Sequence, residues 1–198
     1  MNNLRAVPRR AQRGMVLVAS LLILLIVTIM AVSMFRSSGV QERIAGNMRE
    51  KQRALQAATT AQQYAEWWLS TGGNAANAPV VCNALLNANL NQGQICSNRL
   101  STALGGAANV GNVPWQIGGA DVGVLVTPPG MNVAAAAAWN SYAVTPRFYI
   151  SDIGPSADVL VPGEVFEIDA VGYGGVGTTA AVVESTYAVY VNSTNRTL

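Results

Sequence analysis

Residues 14–35 form an uncharged stretch, and this stretch constrains the fold more than any other feature of the sequence. An α-helix rises about 1.5 Å per residue, so the stretch makes a helix of roughly 33 Å, enough to cross a bilayer core of about 30 Å. Inside lipid, only helices and closed barrels satisfy their own backbone polar groups. We therefore predict a transmembrane helix over residues 15–35, preceded by a basic leader over residues 1–14.

The charges of the chain are unevenly distributed. Residues 1–14 contain four arginines and no acidic residue, which is typical of a segment that stays in the cytoplasm while the C-terminus is translocated. From Trp67 onward, three arginines accompany seven acidic residues. A nucleic-acid-binding domain needs clustered cations, and this part of the chain has the opposite net charge. We therefore predict no nucleic-acid partner.

The sequence contains no histidine, which removes the commonest general base and the commonest metal ligand. It also lacks the glycine-rich and serine motifs of phosphate-binding and hydrolytic sites. Acidic residues of the C-terminal half lack the spacing of a calcium loop, and alternating strand positions explain them better. These are Asp152, Asp158, Glu164, Glu167 and Asp169. We predict a protein that is not an enzyme, with no catalytic residue, metal or cofactor.

The two cysteines, Cys82 and Cys96, are separated by 13 residues. In a domain outside the inner membrane, a disulfide that closes this loop is expected and contributes about 3 kcal/mol on a chain-entropy estimate. The alternative is a pair of free buried thiols. We predict the disulfide.

Helical periodicity continues beyond Phe35, because apolar residues recur at spacings of three, four and seven. The stripe consists of Val40, Ile44, Met48, Leu55, Ala58, Ala61, Ala65, Trp68 and Leu69. Tyr64 and Trp67 are expected to pack beside it, in the core or in an interface. Residues 70–73 (Ser-Thr-Gly-Gly) end the helix. We predict one nearly continuous helix from about Met15 to Leu69, whose residues 36–70 form an amphipathic half.

From Val122 the periodicity changes to two, which predicts strands over residues 122–127, 142–150, 164–173 and 179–191. Pro146 places the second of these at an edge or a bulge, and the last two form a hairpin. Short helices are expected around residues 84–90 and 134–138. The prediction is an α+β fold, in which the amphipathic half of the long helix packs on an antiparallel sheet of three or four strands within a C-terminal domain over residues 71–198.

The N-terminus has three interpretations. A secretory signal would be cut near residues 31–33, and an uncleaved anchor would hold a periplasmic domain. The third interpretation rests on a basic leader that ends in glycine and precedes an apolar segment beginning with methionine, because this arrangement resembles a type IV prepilin. The resemblance implies that a prepilin peptidase cuts between Gly14 and Met15 and methylates Met15. It also implies that the helix of residues 15–35 later enters the filament core.

Two further blocks resemble PilX-type minor pilins. The first is Gln41-Glu42-Arg43-Ile44-Ala45-Gly46-Asn47-Met48-Arg49, followed by Ala54-Leu55-Gln56-Ala57-Ala58. The second is Ala170-Val171-Gly172-Tyr173-Gly174, followed by Val183-Glu184-Ser185-Thr186-Tyr187. The resemblance covers residues 10–70 and 164–190, and its family motif consists of Gln41, Glu42, Arg43, Ala45, Gly46 and Asn47. It implies a pilin-like fold.

The resemblance implies a minor pilin that helps to initiate or cap a type IV pilus, so that adhesion and twitching motility depend on it. Its implied partners are the prepilin peptidase, other minor pilins, the major pilin and a large tip adhesin. Its implied location is the bacterial inner membrane before assembly, with a periplasmic C-terminus, and the pilus tip afterwards. The alternatives are the tip pseudopilin of a type II secretion system and a membrane-anchored periplasmic binding protein.

One position departs from the general pilin pattern. Most pilins have glutamate as the fifth residue of the mature chain, where its carboxylate pairs with the N-terminal amine of an adjacent subunit. Here that position is Ala19. PilX-type pilins are similar to this sequence in having an apolar residue there, so the resemblance implies a scarce subunit at the start of a filament.

Overall fold

The computed structural model describes residues 12–87, 93–100, 110–134, 141–157 and 162–190. The chain divides into two compact units, Met1–Asn47 and Met48–Leu198. The boundary lies within helix α1, Gln12–Ser70. The predicted helix around residues 134–138 lies almost entirely outside the described residues.

In the first unit, α1 is apolar on all sides between Met15 and Phe35. Within the described part of the chain, one helix, Gly14–Ser70, is long and apolar enough to cross a membrane, judged by length and composition, with a mean hydropathy of 3.1 in its most apolar window. Its large apolar side chains between Met15 and Phe35 are exposed. Ser20 and Thr28 donate their hydroxyl hydrogen bonds to backbone carbonyls of the preceding turn. Such a surface is suited to lipid or to contact with other helices.

In the second unit, α1 buries a face of small residues. Ala54, Ala57, Ala58, Ala61, Ala65, Trp68 and Leu69 are all almost completely buried. The predicted stripe is therefore confirmed from Ala58 onward, and it is wrong for Met48 and Leu55, which are exposed. Those two side chains lie off the alanine face that meets the sheet. The helix ends at Ser70, and the following residues Gly72 and Gly73 have φ values of 63° and 76°, which stop it as predicted.

A short 3₁₀ helix, Asn74–Ala76, follows α1, and the rest of the second unit is built on a six-stranded sheet. Its strands are β1 (Leu85–Asn87), β2 (Ile95–Cys96), β5 (Gly123–Leu125), β6 (Arg147–Pro155), β7 (Gly163–Tyr173) and β8 (Ala180–Tyr190). The order is β1-β5-β6-β7-β8, and β2 pairs with β6. Strands β3 (Gln116–Ile117) and β4 (Ala120–Asp121) form a separate hairpin.

The sheet confirms the α+β class and corrects its details. Pairs β1·β5 and β2·β6 are parallel, so the sheet is mixed, and it has six strands where three or four antiparallel ones were expected. The two additional strands come from the cysteine loop. They are too short to show an alternating pattern, which is why periodicity missed them. The hairpin of β7 and β8 is confirmed, with continuous antiparallel register.

Two local expectations are wrong. Residues 85–87 form β1 where a helix was expected, because pairing with β5 overrides the helix propensity of alanine and leucine. The strand expected over residues 142–150 begins only at Arg147, after Pro146, and it lies between β5 and β7 and not at an edge. Proline has no N–H for the ladder, so the strand starts after it. The Pro146 carbonyl still accepts a 2.9 Å hydrogen bond from the Val126 N–H.

The sheet buries apolar residues on both faces. On the helix face, Phe148, Ile150, Phe166, Ile168 and Ala170 pack with Ala61, Ala65, Trp68 and Leu69 of α1. On the opposite face, Tyr149, Val171 and Tyr173 pack with Cys82, Cys96, Leu100, Val110, Trp115 and Val122. We call the described residues that cover this second face, 80–82, 97–100 and 110–122, the loop layer. Strand alternation places Glu167 and Asp169 beneath it.

Candidate functional site

The predicted processing site lies on α1 in the first unit. Gly14 and Met15 are both helical and exposed. A methyl group added at Gly14 would meet nothing within 4 Å. Glycine in a helix interior is less favourable than alanine by about 1 kcal/mol. The described fold therefore has no packing reason for a glycine at this position. Ala19, one turn further on, is exposed as well.

The six residues of the predicted family motif are helical and exposed. Gln41, Glu42, Arg43, Ala45, Gly46 and Asn47 all lie on α1 in the first unit. Across the described ranges, none of their side chains forms a hydrogen bond or an ion pair. The described fold does not use this motif, so its side chains are available to another molecule.

The two blocks of the family resemblance meet in the second unit, where Gly172 of β7 contacts α1. A Cβ atom at Gly172 would lie 2.3 Å from the Ala58 nitrogen, 2.5 Å from the Ala54 oxygen and 2.7 Å from the Ala57 carbonyl carbon. Only glycine allows the strand to approach the helix this closely, and alanines on the helix side keep the gap narrow. Glycine within a strand is the sequence signal of such an approach.

A polar cluster joins the same hairpin to the helix, and we call it the clasp. It consists of Glu50, Arg53, Ser141, Tyr142 and Gly175. The Gly175 N–H donates to Oε2 of Glu50, whose Oε1 accepts a 3.1 Å bond from Arg53. Arg53 also donates to the Ser141 carbonyl and lies 5.0 Å from the centre of the Tyr142 ring. Sequence reasoning did not find the clasp, because its members are far apart in the chain.

The loop layer is held to the sheet by covalent and polar contacts. A disulfide joins Cys82 and Cys96, as predicted, with their Cα atoms 5.3 Å apart. The Asn98 side chain accepts from the Cys82 N–H at 2.7 Å and donates to the Cys82 carbonyl at 3.0 Å. The Tyr149 hydroxyl donates to the Asn98 carbonyl at 2.7 Å. Burial raises the pKa of Tyr149 to about 12, so this hydroxyl stays a donor.

Asp169 is a buried carboxyl group beneath the loop layer. It is fully buried, and among the described residues neither of its carboxylate oxygens has a hydrogen-bond partner. Burial raises its pKa to about 7, and the nearby carboxylates Glu167 and Glu184 add to the rise, while Arg99 opposes it. The folded protein therefore binds this proton more tightly than the unfolded chain does. Its contribution to stability is present at acidic pH and is lost as the pH rises through 7.

The acidic residues that were expected on alternating strand positions make different contacts. Glu167 forms a bidentate ion pair with Arg99, which raises the pKa of that arginine. Asp152 accepts a 2.9 Å bond from the Gly154 N–H beside the irregularity in β6. Asp158 lies outside the described residues. Within the described ranges, no group of three or more histidine, cysteine or acidic residues is placed to hold a metal ion.

Comparison with known proteins finds a family match in the N-terminal part of the chain. Residues 13–61 match the family model described as PilX N-terminal. Over these residues the chain is similar to the N-terminus of PilX-type minor pilins. The match covers about a quarter of the chain. The chain matches no curated protein, and it matches no solved structure.

The PilX-type N-terminus contains Gly14, Met15, Ala19 and the whole exposed motif. The resemblance seen in the sequence is thus confirmed for this part of the chain. Proteins of the PilX family are in general structural and not enzymatic, they act with pilus-assembly partners, and they belong to membranes and pili. The second block lies outside the matched residues, and its contact with Ala54, Ala57 and Ala58 links it to the PilX-type N-terminus.

Proposed function

We propose that this protein is a minor pilin that helps to initiate or cap a type IV pilus, and that adhesion and twitching motility depend on it. The observation that carries the proposal is the match of residues 13–61 to the PilX N-terminus. The long apolar helix supports it, because one uncharged surface can be surrounded first by lipid and later by neighbouring helices without burying a charge.

Processing by prepilin peptidase is part of the proposal. The cut falls between Gly14 and Met15, and Met15 becomes the methylated N-terminus. Gly14 supports this proposal because nothing packs where its side chain would be. Recognition by the peptidase therefore explains the glycine better than a requirement of the fold does. Before the cut, the C-terminal domain lies in the periplasm, where the disulfide between Cys82 and Cys96 is stable.

The partners proposed are other minor pilins, the major pilin and a large tip adhesin. The exposed motif of residues 41–47 supports contacts of this kind, since the described fold leaves its polar side chains without partners. Ala19 supports a place at the start of the filament. In a low-dielectric filament core, an ion pair between a carboxylate and a neighbouring amine is strong, and alanine cannot form it.

The test of the proposed role is deletion of the gene, followed by counting of surface pili and by an assay of protein secretion. We expect pili to be few or absent and secretion to be normal, and expression of the wild-type chain should restore the pili. Normal pili with lost secretion would contradict the proposal and would favour the pseudopilin alternative. Normal pili with normal secretion would contradict both roles.

The tip position has a separate test in the Ala19→Glu variant. We expect the added carboxylate to allow incorporation along the fibre, which immunogold labelling would show as additional copies away from the tip. Ala19→Val is the matched control, because it changes size without adding a charge, and its labelling should stay at the tip. An unchanged distribution of the glutamate variant would show that the missing charge does not determine the position.

A further inference from the structure

Strand β8 forms one edge of the six-stranded sheet and is eleven residues long, as long as β7. It pairs with β7 from Ala180 to Tyr190 in continuous register. None of the described residues pairs with its other side. In an antiparallel strand, every second residue directs its N–H and C=O groups away from a given neighbour. One side of β8 therefore presents a row of backbone donors and acceptors. No strand of the described chain pairs with this row.

Natural edge strands usually carry features that prevent pairing with other chains, such as lysine, proline, a bulge or short length. Strand β8 has none of these, and its only charged residue is Glu184. The edge strand at the other end of the sheet, β1, has only three residues. No residue of β8 is buried, whereas residues 166–173 of β7 are buried throughout. The β8 edge is thus long, regular and accessible.

We propose that β8 is an interaction surface that accepts an extended strand from a different chain and so adds a seventh strand to the sheet. The unpaired backbone groups specify a β-strand as the occupant, because only an extended chain matches their spacing along the whole edge. This proposal is based on the geometry of the sheet edge, and it does not depend on the proposed role in a pilus.

The side chains of β8 indicate what the added strand contains. Tyr187 and Val189 pack against the core on the helix face and are only half-buried, so the core is still open at this edge. Apolar residues at alternate positions of the partner would extend it. On the other face, Glu184 is exposed and lies opposite Asp169 of β7, next to Glu167. A basic residue at the matching position of the partner complements this acidic face.

A second copy of this chain is a poorer occupant. Two β8 strands that pair antiparallel about a two-fold axis near Ser185 place their Glu184 side chains diagonally adjacent. An axis at Glu184 itself places them directly opposite. Like charges in these positions are unfavourable.

The test uses the full chain in detergent micelles and three synthetic peptides of the same length as β8. The first alternates valine and threonine and has lysine at its centre, the second has glutamate there, and the third has proline at alternate positions. Amide hydrogen exchange of β8 and β7 is measured with and without each peptide. Proline cannot extend a hydrogen-bonded ladder, so the third peptide controls for contact without strand pairing.

We expect the lysine peptide, at ten times its Kd, to slow exchange roughly tenfold at alternate amides of β8. It should bind roughly two- to thirtyfold more tightly than the glutamate peptide. Glu184→Lys should reverse this preference, and Glu184→Gln should remove it. Unchanged protection of β7 shows that each variant is folded.

Three results would overturn the proposal. The first is unchanged exchange in β8 with both the lysine and the glutamate peptide. The second is a preference for the lysine peptide that persists in folded Glu184→Gln protein. The third is protection of β8 without any peptide, together with a concentration-dependent dimer, because that would identify a second copy as the occupant.

Discussion

Gly172→Ala is the sharpest test of how the helix and the closing hairpin fit together. The added methyl group would lie 2.3–2.7 Å from three backbone atoms of α1, in Ala54, Ala57 and Ala58. Backbone atoms of a helix cannot give way individually, so the strand or the helix must move. Overpacking of this kind costs about 1–3 kcal/mol, and we expect about 3 kcal/mol here. At roughly 2–4 °C per kcal/mol, Tm should fall by about 6–12 °C.

The assay is thermal unfolding of the full chain in detergent micelles, followed by near-ultraviolet circular dichroism of the buried residues Trp68 and Trp115. Gly177→Ala is the matched control, because a methyl group there meets nothing within 4 Å. Its Tm should stay within about 2 °C of the wild-type value, as is usual for surface substitutions. Equal Tm values for the two variants would refute the close approach at Gly172.

Three further predictions concern the clasp and the loop layer. Arg53→Ala should lower the free energy of unfolding by about 1–3 kcal/mol in urea titrations and Arg53→Lys by less, and equal losses would show that the charge itself does not matter. Replacing Cys82 and Cys96 with serine should cost about 3 kcal/mol, and a reducing agent should then destabilise only the wild type. Because Asp169 is neutral at acidic pH, Asp169→Asn should gain stability relative to the wild type as the pH rises from 4 to 7, by up to about 4 kcal/mol. A stability difference that does not change with pH would contradict the buried, unpaired carboxyl group.

The helix and the last hairpin could be predicted from the sequence because both are long enough for periodicity to be read. The end of α1 followed from Gly72 and Gly73, and alternation located β7 and β8 to within one residue at each end. The cysteine loop could not be predicted in the same way. Strands β1 and β2 are two or three residues long, and pairing with distant strands, not local preference, makes them strands.

Neighbouring residues of similar chemistry also differ in burial and in their partners, and the sequence does not show these differences. Trp68 is 2% exposed and Trp67 is 44% exposed, because the sheet covers only one side of the helix. Glu167 and Asp169 share a face of β7, yet Glu167 has Arg99 as a partner, and Asp169 has no hydrogen-bond partner in the part of the chain that the structure describes. The close approach at Gly172 did have a signal, since glycine within a strand indicates backbone contact, but the sequence could not say with which element.

We propose that the chain is cut between Gly14 and Met15 and that the helix beginning at Met15 serves as a pilin N-terminus. Intact mass and N-terminal sequencing of the protein from membranes of cells with and without prepilin peptidase test it most directly. We predict a chain that begins with N-methylated Met15 when the peptidase is present, and an uncut chain that retains residues 1–14 when it is absent. Retention of residues 1–14 in both strains, or a cut near Ser33, would contradict the claim.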